Sequence, residues 1–174
     1  MGTHKELDTD VNVDTNTEEL DQLISMFESN NVFKPAVDLA KKFREGIKKG
    51  SERGAYKIAD KTRAFQELTI ALNGNLFHEK LINSIEVEKK TETRYLVGTT
   101  IAHFYPLCVE FGRKKVVPKN RKVLRWHTLS GNVVFAKESK ASKPYPFVKP
   151  TYERMKGGAG ADILKEEIYN ATNG

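Results

Sequence analysis

The chain has little cysteine and no long apolar run. Cys108 is the single cysteine among 174 residues, so no intrachain disulfide can form, which is typical of proteins that fold in a reducing cytoplasm. No stretch approaches the roughly 20 apolar residues that a membrane helix needs. The polar N-terminus, residues 1–6, lacks the apolar core of a signal peptide. We therefore expect a chain that is made in the cytoplasm and has no membrane partner.

Recognisable catalytic and cofactor motifs are also lacking. The glycine cluster at 157–160 has no Lys-Ser/Thr pair to complete a phosphate-binding loop. Cys108 stands in an apolar stretch and is expected to be a buried structural thiol. Glu86 and Glu88 alternate with apolar residues, so they are expected on the solvent face of a strand. The histidines do not have the spacing of metal ligands; they are His4, His78, His103 and His127. We predict no catalytic residue, no metal and no cofactor, and therefore a protein that is not an enzyme.

Charge is distributed unevenly along the sequence. Residues 1–32 hold eight acidic residues against one lysine, a net −7, although the whole chain carries +6. Residues 113–149 hold eleven basic residues against one acid, a net +10. Opposite blocks of this kind favour docking on oppositely charged partners. The alternative is a solvated acidic tail and a solvated basic face.

Apolar spacing predicts helices, two strands, a short helix, two strands and a final helix. The spacing is helical from Thr17 to Asn31, and again from Pro35 to Gly74 with interruptions at Gly50 and Gly54. Alternation and turn residues predict hairpins; their strands are 84–88 with 94–100, and 123–128 with 133–137. A short helix is expected over 102–111, and the last helix from Asp162.

This order is typical of an α+β domain. Because the paired strands are sequential, we expect a small antiparallel sheet of about four strands in two hairpins, covered by helices. Residues 1–16 are polar and acidic and are expected to form an extended, disordered arm. The domain itself is predicted over 17–156, and a glycine break with a helical tail over 157–174.

Six short motifs follow one another in a fixed order between residues 74 and 150. They are Gly74-Asn-Leu76, Ser84-Ile85, Tyr105-x-x-x-Val109-Glu-Phe-Gly112, Val123-Leu-Arg-Trp126, Gly131-Asn-Val-Val-Phe-Ala-Lys137 and Pro146-Phe147-x-x-Pro150. The ordered set resembles the tail-completion, or head-to-tail joining, proteins of tailed bacteriophages, over about residues 34–156. Two departures from that family are Arg113 where Thr often follows the glycine, and residues 139–144 where a Pro-Gly pair often stands.

The resemblance implies a structural subunit of the phage neck, which joins the head connector to the tail. Such a subunit assembles with itself into a ring, commonly a hexamer, around the DNA channel. The implied partners are further copies of the chain and the neighbouring neck, tail-terminator and tail-tube proteins, with sequence-nonspecific contact to channel DNA. The implied location is the virion, after assembly in the host cytoplasm.

The motifs carried over from the family are expected to pack the subunit; their residues are Tyr105, Glu110, Phe111, Gly112, Pro146 and Phe147. We expect Glu110 to pair with an arginine or lysine while Phe111 stays buried. Gly112 permits a backbone reversal because glycine has no Cβ. The prolines at 146 and 150 are expected to hold the chain extended, which places Phe147 against the sheet or against a neighbouring subunit.

The basic loop, residues 113–122, is a second candidate site. It is expected to contact an acidic neighbouring ring or DNA phosphates through Arg113, Lys114, Lys115, Arg121 and Lys122. Trp126 and Phe135 could stack on bases, but they lie on predicted strands, where packing in the core explains them. The alternative function is therefore a sequence-nonspecific nucleic-acid-binding protein.

Overall fold

The computed structural model describes residues 7–29, 34–72, 79–101, 104–127 and 131–173, and these confirm the predicted α+β class. The helices are α1 Glu18–Ser29, α2 Lys34–Leu72, α3 Glu79–Ile82, α4 Phe104–Phe111, α5 Val148–Arg154 and α6 Gly160–Asn173. The strands are β1 Thr9–Asn12, β2 Ile85–Lys89, β3 Arg94–Thr99, β4 Leu124–His127 and β5 Val133–Ala136. The motif Gly74-Asn-Leu76 and the histidines at positions 4, 78 and 103 lie outside the described residues.

The strands form two separate antiparallel sheets. The larger sheet has three strands in the order β1-β3-β2, with Val87 opposite Val97 and Val11 opposite Tyr95. β4 and β5 form a two-stranded sheet of their own. Both predicted hairpins are therefore present, and β1 adds a fifth strand that the sequence analysis did not expect.

The acidic N-terminal segment is not an arm without internal partners. β1 pairs with the free side of β3, and Leu7, Val11 and Val13 are buried. Apolar or β-branched residues alternate here with acidic or amide residues from Leu7 to Asp14, which is the period of a half-buried strand. The prediction of disorder was wrong for residues 7–13, because the alternating apolar residues form a strand in spite of the acidic composition. Residues 1–6 lie outside the described residues.

α2 runs unbroken for 39 residues through both predicted interruptions. Gly46, Gly50 and Gly54 follow one another at four-residue spacing and so share one helix face. α6 packs antiparallel against that face, so closely that a Cβ on Gly50 would lie 2.5 Å from the Cα of Ile168. The glycines therefore serve the contact between the helices. Neither α2 nor any other helix in the described ranges is long and apolar enough to cross a membrane.

The second half of α2 covers one face of the three-stranded sheet. Ala55, Ala59 and Ile70 lie in the same buried cluster as Tyr95 and Val97 of β3. The ring of Tyr56 also meets the Tyr95 ring edge-on, with the centroids 6.0 Å apart. Among the helices of the described ranges, only α2 makes extensive contact with this sheet, and side chains on the opposite sheet face are mostly exposed.

The glycine cluster after α5 is a structured turn. A π-helical segment, Met155–Ala159, joins α5 to α6, and Gly158 has a φ of 132°. Only glycine adopts such a φ readily. The predicted flexible break at 157–160 is therefore a sharp bend that directs α6 back along α2.

Candidate assembly interface

Glu110 lies near the end of α4, and its carboxylate caps α5. The backbone N–H groups of Phe147 and Val148 donate to Oε2 at 2.7 and 3.0 Å, and that of Lys149 donates to Oε1 at 3.2 Å. A carboxylate at this place satisfies unpaired N–H groups and complements the helix dipole. Glu110 is only 4% exposed. The predicted ion pair with a basic side chain was therefore wrong, since the carboxylate is used by the backbone of α5.

Phe147 is the anchor of the same junction. It is fully buried in the main core cluster, as predicted. Its carbonyl oxygen accepts a hydrogen bond from the hydroxyl of Thr151 at 2.8 Å. Pro146 lies in the extended segment before α5, but Pro150 lies in the first turn of α5, where its missing N–H costs little. The prediction that both prolines hold extended chain is thus wrong for Pro150.

Gly112 turns the chain out of α4. Its φ is 73°, and a Cβ there would lie 2.8 Å from both the backbone oxygen of Ser142 and the nitrogen of Pro144. The expected backbone reversal is confirmed, and the close approach of residues 142–144 gives a second reason for glycine. The position therefore joins α4 to the segment that leads into α5.

Two motif side chains of α4 face outward. Phe111 is 65% exposed and Tyr105 is 38% exposed. Because Val109 and Glu110 face the core, the helical rotation carries Phe111 to the outer surface. The expected burial of Phe111 was wrong. Cys108 is partly buried, and this burial raises the pKa of its thiol while nearby Arg113 opposes the rise; a raised pKa keeps a thiol unreactive near neutral pH.

The described residues between 113 and 142, which are 113–127 and 131–142, form a two-stranded extension that we call the hairpin arm. At its base the backbones of Arg113 and Ser142 exchange hydrogen bonds of 3.0 and 2.9 Å, and those of Val116 and Ser139 do the same. β4 and β5 form its outer part, and neither makes an extensive contact with another helix or strand of the described ranges. The arm is thus fixed at its base and projects from the α+β domain.

The basic residues of the arm fall into two groups. The Arg113 guanidinium donates to the Ser139 hydroxyl and to the Lys140 carbonyl, and Lys115 pairs with Glu138. These two of the five predicted contact residues therefore hold the arm together. The other three are exposed and make no ion pair within the part of the chain that the structure describes; they are Lys114, Arg121 and Lys122.

The aromatic residues of the arm are not core residues. Trp126 is 40% exposed and Phe135 is 62% exposed, so the packing expected for them was wrong. Strand register places Phe135 opposite Arg125, and Trp126 opposite Val134. Since opposed residues share a face, the two rings point to opposite sides of the hairpin. Both sides therefore offer an aromatic ring to solvent or to a partner.

The outer face of the three-stranded sheet is acidic. Glu86 and Glu88 are exposed there, as predicted, and register places Leu96 between Asp10 and Glu88. Arg94 donates to both oxygens of Asp10 at 3.1 and 2.7 Å. These hydrogen bonds lower the pKa of Asp10 and raise that of Arg94. The sequence did not predict this face because its carboxylates come from two distant segments, β1 and β2, which only the pairing with β3 brings together.

The described residues contain no cluster of three His, Cys, Asp or Glu side chains that could hold a metal ion. What the surface does offer is a projecting basic and aromatic arm and a separate acidic sheet face. Both are suited to binding another macromolecule and not to enclosing a small ligand. No family model, curated protein or solved structure matches this chain.

Proposed function

We propose that the chain is a structural subunit of a tailed-phage neck ring, in which it joins the head connector to the tail. The observation that carries the proposal is the hairpin arm, which exposes Trp126 and Phe135 beside unpaired basic residues. The ordered motifs that resemble head-to-tail joining proteins supply the phage context. The proposed activity is assembly, without a catalytic step.

The arm has the properties of a preformed contact element. Aromatic side chains are enriched at interaction surfaces of soluble domains, and each side of the arm exposes one. The arm's base is held by the Glu110 cap, by Gly112 and by the paired backbones of residues 113–116 and 139–142. Because these contacts fix the arm before binding, little conformational entropy is lost when a partner docks.

The proposed partners follow from this arrangement. Further copies of the chain form the ring, commonly a hexamer in the family that it resembles, and the neighbouring neck, tail-terminator and tail-tube proteins stack on it. Lys114, Arg121 and Lys122 can also meet phosphates of DNA in the channel. Such contacts would not depend on the DNA sequence, because they involve only the sugar–phosphate backbone of the DNA.

A nonsense mutation in the gene tests the proposal. Infected cells should then accumulate filled heads and complete tails that are not joined, and the purified chain should join them in a lysate. Phe135→Ser should fail in this lysate assay, whereas Leu68→Ser, at a residue 51% exposed on α2, should work like the parent. Joined, infectious particles made without the chain would refute the proposal.

A sequence-nonspecific nucleic-acid-binding protein is the second candidate. It is favoured by the exposure of Trp126, whose ring can stack on a base beside the unpaired cations of the arm. A true binder should lose affinity for single-stranded DNA steeply as salt rises. It should also lose affinity on Trp126→Ala. A neck subunit should join heads to tails whether or not free DNA is present, which separates the two candidates.

A further inference from the structure

We infer that the hairpin arm of one copy docks on the acidic sheet face of the next copy in the ring. The inference rests on the proposed function and names the contact that would build the ring. The occupant of the sheet face is thus a second copy of this chain. Two different surfaces meet, so the contact is head-to-tail.

The donor surface is the side of the hairpin that carries Phe135. Arg125 lies directly opposite Phe135, with its guanidinium carbon 6.0 Å from the ring centroid, and His127 lies opposite Val133. Phe135 is 62% exposed and Val133 is 40% exposed. This side therefore combines an apolar centre with positive charge.

The acceptor surface is the uncovered face of the three-stranded sheet. Leu96, which is half-buried, lies in register between Asp10 and Glu88, and Gly98 lies opposite Glu86. Leu96 is thus the apolar centre of this face, the Asp8 carboxylate lies over Gly98, and further carboxylates stand on both sides. Glu88 pairs with Lys90 and Asp10 pairs with Arg94, whereas Glu86 makes no ion pair with another described residue.

Charge decides which surfaces can meet. The hairpin arm, residues 113–142, holds nine basic residues against one acid, a net +8. Two arms brought together would therefore repel each other, and so would two acidic sheet faces. An arm on a sheet face lets Phe135 reach Leu96 while the arm's cations approach the surrounding carboxylates, which is the favourable pairing.

The symmetry of a ring also favours a contact between two different surfaces. A contact between two different surfaces of identical chains is heterologous, and it closes into a ring when the rotation between copies is suitable. A contact between identical surfaces would stop at a dimer. The arm and the sheet face thus provide the two complementary surfaces that a ring of identical chains requires.

Disulfide trapping tests the contact directly. In a Cys108→Ser background, Phe135→Cys chains are mixed with Leu96→Cys chains under mild oxidation. The mixed pair should cross-link roughly tenfold more than a control pair of Phe135→Cys with Leu68→Cys, since docking raises the effective concentration of the two thiols. Yields equal to the control, or links only between two Phe135→Cys chains, would overturn the inference.

Charge reversal provides a second test that does not depend on cysteine. Glu86→Lys with Glu88→Lys should weaken self-association roughly tenfold or more, measured by analytical ultracentrifugation. Adding Arg121→Glu and Lys122→Glu to the same chain should restore much of the lost self-association. Glu18→Lys with Glu19→Lys, an equal charge change at exposed positions of α1, should have little effect.

The two proposals can fail separately. If the chain is found at the neck of the virion but neither the trapping nor the reversal gives the expected result, the arm-to-sheet contact is wrong and the proposed function stands. If the chain is absent from the neck, the proposed function is wrong, whatever contacts the purified chain makes.

Discussion

The carboxylate of Glu110 accepts a hydrogen bond from the backbone N–H of Phe147 at 2.7 Å, although the two residues lie 37 positions apart in the sequence. This hydrogen bond closes the loop that contains the whole hairpin arm. The two residues belong to the Glu110-Phe-Gly112 and Pro146-Phe147 segments of the sequence. Their contact fixes the point from which the arm projects.

Glu110→Ala should destabilise the fold by about 1–3 kcal/mol, because it leaves buried N–H groups at the start of α5 without an acceptor. Urea unfolding followed by circular dichroism measures the change. Glu153→Ala, at an exposed position of the same helix, is the control and should lie within about 0.5 kcal/mol of the parent. Equal stability of Glu110→Ala and the parent would show that the cap is not needed.

Phe147→Ala should cost about 3–5 kcal/mol of the free energy of unfolding, as is usual for a fully buried phenylalanine. Lys149→Ala is the matched control, since its side chain is 75% exposed and only its backbone N–H contacts Glu110. Thermal unfolding of both variants is the measurement. A parent-like midpoint for Phe147→Ala would mean that the Pro-Phe segment does not pack as described.

Gly50→Ala should destabilise the protein even though alanine favours helices, because the new Cβ would displace the backbone of α6 at Ile168. The expected cost is about 1–3 kcal/mol. Gly157→Ala, where a Cβ would meet nothing within 4 Å, should be neutral or slightly stabilising. Unfolding curves that rank the two variants in the opposite order would disprove the close packing of α2 and α6.

Val11→Asp should destabilise the fold by about 3 kcal/mol or more, because it places an unpaired charge in the core. Asn12→Asp introduces the same residue one position later, on the exposed face and opposite Arg94, and should be tolerated. Chemical denaturation compares the two. If both variants are as stable as the parent, residues 9–12 do not form a strand of the sheet.

Neutralising Lys114, Arg121 and Lys122 together to glutamine should leave the unfolding midpoint unchanged and reduce head-to-tail joining. These side chains are exposed and without ion pairs in the described part of the chain, so the fold does not depend on them. The same changes at Lys42, Lys48 and Lys49, exposed on α2, remove equal charge far along the sequence and should leave joining intact. Equal joining by both triple variants would exclude a role for the basic loop in head-to-tail joining.

Local pattern was enough to predict most of the elements. The two hairpins, the short helix before Gly112 and the burial of Phe147 follow from alternation, helical spacing and turn residues, all of which act over a few positions. β1 could also have been predicted, since Leu7, Thr9, Val11 and Val13 alternate with polar residues. There the acidic composition was given too much weight.

The remaining features depend on contacts between distant residues, which periodicity cannot show. Gly50 breaks the helical pattern in the sequence, yet it is required where α6 crosses α2. Glutamate commonly forms ion pairs, yet the carboxylate of Glu110 accepts hydrogen bonds from the backbone at the start of α5. Trp126 and Phe135 are residue types that often lie in a core, but no other helix or strand of the described ranges makes extensive contact with β4 or β5, and both side chains are exposed.

Locating the chain in the virion tests the central claim most directly. An antibody or a tag on the chain, viewed by electron microscopy of the phage that encodes it, should mark a ring at the junction of head and tail. Label found elsewhere on the particle, or particles that contain no copy of the chain, would contradict the account.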